Sequence, residues 1–430
     1  FGGGVVAGHP HGSSLAMNET SNDDAGPPSV TFASGLSWTR VRTPRLLSRI
    51  GKVCFVFGAL GMLALVSRDL ELFASANGIG LLGWLLFLVS YVLSLTQTSF
   101  GGGLSISNDE LVVLSGTKRK TIPFAKIAGA LVVERSVAGG TVPTVEIELT
   151  NGDRLTARTP DPRAPEVLVR ALGFGAGGKR VRATLEKSTR RLLHPLLGFA
   201  AYAAGMTVVM LIASAIPTGG HAFEVAFGVY PPLTLVLYAW LQRYVRAAVV
   251  TVGDDGVAVR RHGKTQLIAR RDIAFVGNPV KGVLAIEERS GRRTAISNVL
   301  LDHDRLAAVA RLLAERSGPS ASAERFAHYE RADRPLAAWR DHLGRAMNDA
   351  SYRHNAATVD DAASVLRSGD ASPEQRVGAA LALRVAGQSP ERIRVAAVGA
   401  VDDRVREALE AVADAEDDVV IEKALQRLQR

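Results

Sequence analysis

The sequence predicts a multidomain α+β membrane protein. It has four transmembrane helices in two hairpins, two small antiparallel β-barrels each ending in a helix, and an all-α helical-repeat region at the C-terminus. Three observations predict this class. Four long apolar runs carry no charge, the chain matches itself at an offset of about 146 residues, and the last third has helical periodicity with capping signals. The composition agrees: 430 residues, 47% hydrophobic, 22% charged, formal net charge +9, with a mean hydropathy of +0.12. That length admits several domains. Gly and Pro show no period and apolar content is high, which excludes collagen-like and wholly disordered classes. The single cysteine, Cys54, excludes an internal disulfide and a cysteine-built metal cluster.

Residues 1–38 are rich in Gly, Ser, Asn and Pro and are expected to be disordered. Residues 1–16, which precede Met17, are expected to be a non-native extension, and the segment lacks the pattern of a cleavable signal peptide. The first hairpin, 39–98, holds the apolar runs Val53–Val66 and Ile79–Thr96. The second, 194–244, holds Leu196–Ile216 and Val225–Leu241. A charge at the centre of a span costs about 2.5–3.5 kcal/mol on an insertion scale, and none of the runs contains one. Arg40, Arg42, Arg45, Arg49 and Lys52 precede the first run, Lys179 to Arg191 precede the third, and Arg243 and Arg246 follow the fourth. All basic flanks then fall on one side, which predicts an integral protein of the cytoplasmic (inner) membrane with both termini cytoplasmic.

The self-match continues past the apolar runs. Leu104–Val113 aligns with Val250–Val259, Lys118 with Lys264, Ile122 with Ile268 and Ile127 with Ile273. After a deletion of about seven residues, Val145–Ala157 aligns with Leu284–Ile296, placing Gly152 on Gly291. Each copy ends in a helical pattern, at Pro165–Leu172 and Leu301–Glu315. Period-two alternation in Thr144–Thr150 and Val257–Arg261, with turn signals at Asn108-Asp109, Asp254-Asp255-Gly256, Asn151-Gly152 and Ser290-Gly291, predicts six or seven short strands before each helix. A hairpin followed by such strands and one C-terminal helix is similar to the bacterial pleckstrin-homology-like (PH-like) membrane proteins. The resemblance implies PH-like barrels at 102–175 and 247–316, joined by a basic linker at 176–193, and it implies no reaction.

Residues 317–430 are expected to form a HEAT-like helical region. From Glu315 onward there are 17 basic and 20 acidic residues, a net of −3, which leaves +12 on the rest. Ser372-Pro373-Glu374-Gln375 and Ser389-Pro390-Glu391 read as helix starts and Gly387 as a stop. The stripe Trp339, Leu343, Met347 is expected to be a core face. A stacked helical array presents a surface for a protein partner.

Catalytic motifs are scarce. Gly173 to Lys179 matches a phosphate-binding loop until Arg180, where a Ser or Thr is needed, and it follows a helix rather than a strand. A helix stop is the expectation there. Asp302-His303-Asp304 offers metal-ligating groups, but Asp302 is placed to cap a helix. No zinc-protease or nucleophile-elbow pattern occurs, so no cofactor, metal, small-molecule substrate or catalytic residue is predicted. Lys118, Arg119 and Lys120 in one copy, and Arg260, Arg261 and Lys264 in the other, occupy the same hairpin, and Arg190 and Arg191 precede the third apolar run. These eight are candidate contacts to anionic lipid head groups. No aromatic residues are interleaved with them, so nucleic acid is not expected. The predicted function is a non-enzymatic inner-membrane scaffold or adaptor that recruits an unidentified protein partner through 317–430. A small channel or transporter built from the hairpins is the alternative.

Overall fold

The computed structural model describes residues 30–41, 97–185, 248–297, 302–316, 324–348 and 358–429, apart from short breaks at 108–109, 116–117, 138–139, 160, 176–177, 262, 281 and 415–416. The first copy comprises β1 (Val30–Val41), β2 (Gln97–Ile106), β3 (Glu110–Ser115), β4 (Lys118–Pro123), β5 (Ile127–Val137), β6 (Gly140–Leu149), β7 (Arg154–Arg158) and α1 (Ala164–Ala171). The second comprises β8 (Val181–Thr184), β9 (Val249–Val252), β10 (Gly256–Arg261), β11 (Lys264–Ala269), β12 (Ile273–Val276), β13 (Val283–Glu288), β14 (Arg293–Ser297) and α2 (His303–Arg316). Both series run in one order: a strand, an insertion outside the described residues, two groups of three strands, and a helix. Even an irregularity recurs, a register shift between Ile127 and Gly129 in β5 and between Ile273 and Phe275 in β12. The unit begins one strand earlier than the self-match. β1 lies partly in the segment expected to be disordered, and β8 lies in the expected basic linker.

Neither copy is a closed barrel, which corrects that part of the predicted fold class. In the first copy all seven strands form one sheet in the order β4-β3-β2-β1-β7-β6-β5. The twelve-residue β1 is long enough to pair with β2 along one edge and with β7 over Ser37–Val41 along the other. The four-residue β8 pairs only with β9, so the second copy splits into sheets β11-β10-β9-β8 and β12-β13-β14.

The predicted four-span architecture and the integral inner-membrane location with cytoplasmic termini are also corrected. Among the described residues no helix is long and apolar enough to cross a membrane. The longest, α2, has 14 residues including several charges, hence a length of about 21 Å against a hydrocarbon core of about 30 Å. The four apolar runs themselves lie outside the described residues.

One hydrophobic core joins both copies: Leu104, Val133, Ile147 and Leu168 of the first and Val250, Leu284, Ile286 and Leu306 of the second belong to a single cluster, each fully buried. The β6 strand is buried over six consecutive residues, Thr144–Leu149, rather than on alternate ones. One face of β5–β6 looks into its own copy, and the other is covered by β8 and α2 of the second. The closest approach is at Gly129, where a Cβ would lie 2.5 Å from the Arg182 carbonyl oxygen and 2.9 Å from its nitrogen.

The tail forms a second core from α3 (Glu324–Ala327), α4 (Leu336–Asn348), α5 (Val359–Arg367), α6 (Pro373–Val385), α7 (Pro390–Gly399), α8 (Asp403–Asp414) and α9 (Asp418–Gln429). Ser372 and Gln375 exchange side-chain-to-backbone hydrogen bonds at the start of α6, and Gly387 takes φ +70 after its end. Helix α6 is central, buried from Gln375 to Leu383 and packed by α4, α5 and α8. Trp339 and Leu343 of α4 are fully buried in this core. Gly378 admits the Trp339 ring, which would stand 2.8 Å from a Cβ there. Helix α9 is bridged to α4 by Arg340–Asp418 at 2.6 Å and to the loop before α4 by Arg331–Glu422 at 3.0 Å.

Gly129→Ala is expected to force β8 away from β5 and to cost about 1–3 kcal/mol. Urea unfolding of the full chain measures it, and an unchanged midpoint would contradict the close approach.

Candidate functional site

The outer face of β5–β7 carries Gly129, Glu146, Glu148 and Arg154, brought together by the register Gly129↔Glu148, Leu131↔Glu146 and Glu148↔Arg154. Strand β8 crosses this face. Glu148 accepts the Thr184 N–H at 2.9 Å and also the Thr184 hydroxyl, while Arg154 donates to the Thr184 carbonyl at 3.1 Å. One residue of the crossing strand is thus held by its donor, its acceptor and its side chain.

Beside this clamp lies a buried ion network. Arg305 of α2 is 2% exposed and bonds Glu146, itself 5% exposed, while donating to the Thr184 carbonyl at 2.6 Å. Arg135 bonds Glu146 and both oxygens of Asp302 at 2.9 Å, and reaches Asp304 at 3.2 Å. Burial opposes ionisation of Glu146 and Asp302. For Glu146 the charges of Arg305 and Arg135 outweigh it, and for Asp302 the hydrogen bond and charge of Arg135 do. Both carboxyls are therefore held below their usual range. For Arg135 burial likewise works against the charge, and bonding to Asp302 and the charge of Glu146 raise its pKa. Over this network opens a cleft of about 470 Å³ lined by Glu134, Thr141, Pro279, His303, Asp304 and Arg311. Glu134 and Arg311 pair across it at 2.9 Å.

The tail meets the second copy at the β9–β10 turn. Asp255 accepts the backbone N–H groups of Val401 and Asp402 at 2.6 and 3.0 Å, and the Asp254 N–H donates to the Gly399 carbonyl at 3.2 Å. The fit is close at Gly399, where a Cβ would stand 2.7 Å from the Asp254 carboxylate. Arg316 pairs with Asp254 at 3.3 Å and donates to the carbonyls of Gly175 and Lys179. Arg376 is 1% exposed; its Nε donates to Leu366, and neither Nη atom has a hydrogen-bond partner among the described residues. Burial raises the pKa of Asp254 despite Arg316 and Arg376, and depresses those of both arginines.

The sequence-predicted residues fall as follows. Asp302 caps α2, accepting the Arg305 N–H at 3.3 Å. The glycine-rich loop follows the end of α1, with Gly173 at φ +82 and the Phe174 N–H donating back to Val169. Its carbonyls face Arg316, so the loop accepts a cation's hydrogen bonds rather than donating to a phosphate. Lys118, Arg119 and Lys120 lie on β4, the sheet edge, where Arg119 and Lys120 are exposed. Arg260 and Arg261 end β10, and Lys264 begins β11; all three are exposed. Each set sits at its own hairpin, on a separate sheet. Arg190 and Arg191 lie outside the described residues. Sequence reasoning missed Glu146, Glu148, Arg154, Arg305 and Arg316. The two glutamates occupy the polar positions of an alternating strand, and only the partners from α2 and β8 bury them.

Arg305→Ala should leave Glu146 buried with Arg135 as its one remaining cation among the described residues, at a cost of about 3 kcal/mol in urea unfolding; Glu146→Gln with Arg305→Met should recover most of it. Because Glu146 and Asp302 are held low, their contribution is full above the ordinary carboxylate range and is lost as pH falls through their folded values. Melting curves from pH 7 to 3, flatter in the double variant than in the natural chain, test this. Asp255→Ala should release the α7–α8 turn, speeding amide exchange at Val401 and Asp402 about tenfold while leaving 283–297 unchanged. No protein-family model matches the chain, and no curated protein matches it in sequence.

Proposed function

We propose that the protein is a non-enzymatic adaptor that recruits a protein partner through the outward faces of α7 and α9. The observation that carries this reading is the fixed seat of the tail. Asp254, Asp255 and Gly399 hold the α7–α8 turn through backbone hydrogen bonds, while valines on α7 and on α9 stand exposed. Val395 and Val398 of α7 are 58% and 43% exposed, and Val419 and Val420 of α9 are 70% and 50% exposed. Apolar side chains displayed on a firmly held scaffold favour a protein contact, since it removes them from water without reordering the scaffold. A groove of about 410 Å³ between α4 and α9, edged by Leu336, Asp418, Val419, Glu422 and Lys423, adds polar groups that give such a contact its direction.

A photoreactive residue in place of Val395, and separately of Val419, tests this in cells that make the full chain. The same crosslinked partner is expected from both positions. The adduct should be lost in Val395→Asp/Val398→Asp for a probe at Val419. Failure of both probes to capture a partner, or an adduct undiminished by the valine substitutions, would overturn the reading.

A further inference from the structure

The outer face of β12–β14 offers a different kind of surface from its counterpart in the first copy. Gly129 and Glu146, which admit β8 and pair with α2 there, are replaced by Phe275 and Ala285. Neither the backbone crossing nor the buried ion pair can form on this face. Phe275 stands opposite Glu287, Glu287 opposite Arg293, and Ala285 opposite Ala295. The Phe275 ring leans along the sheet: a Cβ on Gly277 would lie 3.6 Å from that ring and 3.8 Å from the Ala285 side chain. The result is a flat apolar floor of Phe275, Gly277, Ala285, Ala295 and Val283, with an acid and a base side by side along one edge. Phe275 is 62% exposed and Val283 36% exposed, and Glu287, Arg293 and Ala295 are exposed.

We propose that this face packs against the same face of a second copy of the chain, related by a two-fold axis. The charges select that occupant. Glu287 and Arg293 are neighbours of opposite sign, and a two-fold operation sets the acid of each copy against the base of the other. With the axis inclined to the strands, the Phe275 ring of one copy lies over Ala295 of the other, and Glu287 comes within reach of Arg293. The strands of the two sheets then cross steeply, as in orthogonal sheet packing. The small residues of the floor let the two faces approach closely, and the aromatic rings leave water. Strands of four, six and five residues bury less than the roughly 800 Å² per partner of a standard interface, so the dimer dissociates at a concentration on the order of 10 μM. This surface is separate from the valines of α7 and α9, and the pairing does not depend on what they bind.

Sedimentation of the full chain from about 1 to about 100 μM tests this, and should show monomers passing reversibly into dimers. Phe275→Ala should weaken dimerisation by about tenfold or more. Glu287→Arg and Arg293→Glu should each weaken it by about tenfold or more, because each sets like charges against one another across the axis. An equimolar mixture of those two variants should recover dimers, since the mixed pair again matches every acid with a base. All three side chains are exposed, and circular dichroism checks that the variants fold. A natural chain that stays monomeric throughout, dimers untouched by Phe275→Ala or by either charge reversal, or a mixture that fails to recover them would overturn the proposal.

Discussion

A carboxylate buried between two sheets must have a cation beside it, and Glu146 against Arg305 is the pair on which the arrangement of the copies depends. An ion taken out of water without its partner costs several kcal/mol, so the two copies cannot part without a large penalty. Several features follow from keeping that pair closed. Helix α2 must lie across β5 and β6 with Arg305 inward, which sets Asp302 at its start against Arg135. Strand β8 must then cross the same face close enough for Arg305 and Arg154 to share the Thr184 carbonyl. Gly129, with no side chain, leaves room for the crossing backbone.

Local signals in the sequence carry local structure well. Ser372, Gln375, Gly387 and Asp302 have the capping and stopping roles their types suggest, because each interaction closes within a few residues. Alternation in Thr144–Thr150 correctly indicates a strand. It leaves Glu146 and Glu148 unplaced, because period two separates faces without revealing whether both are covered. Their partners come from Thr184, 36 residues on, and from Arg305, 159 residues on. Nothing within a local window encodes such a pairing. β8 itself is hidden for a related reason: only Val181 and Ala183 of its four residues are buried, and its surroundings are rich in Lys and Arg. The barrels of the expectation fail at the same level: β1 joins two neighbours into one sheet, yet closure needs the distant edge strands β4 and β5 to pair, which no local pattern encodes.

The tail is joined to the rest by a different chemistry. Asp254 and Asp255 read as turn residues, and the turn is where they sit, yet each looks outward to another element. Asp255 is satisfied by two backbone N–H groups, a match of shape as much as of charge. Asp254 faces Arg316 and Arg376 in a place where burial raises its pKa and depresses theirs. The seam thus combines one well-satisfied carboxylate with one costly ion cluster. Buried ion pairs of the second kind favour a single arrangement more than they add stability.

Helix α2 has a consequence of another kind. Near its first turn, Arg305 is locked to the first copy, and its last residue, Arg316, is locked to the β9–β10 turn that seats the tail. A 14-residue helix is about 21 Å long and stiff along its axis. It acts as a tie rod pinned at both ends by guanidinium groups. A pull on the tail is therefore passed along α2 to the sheet of the first copy, and the load falls on ion pairs that yield abruptly rather than by stretching.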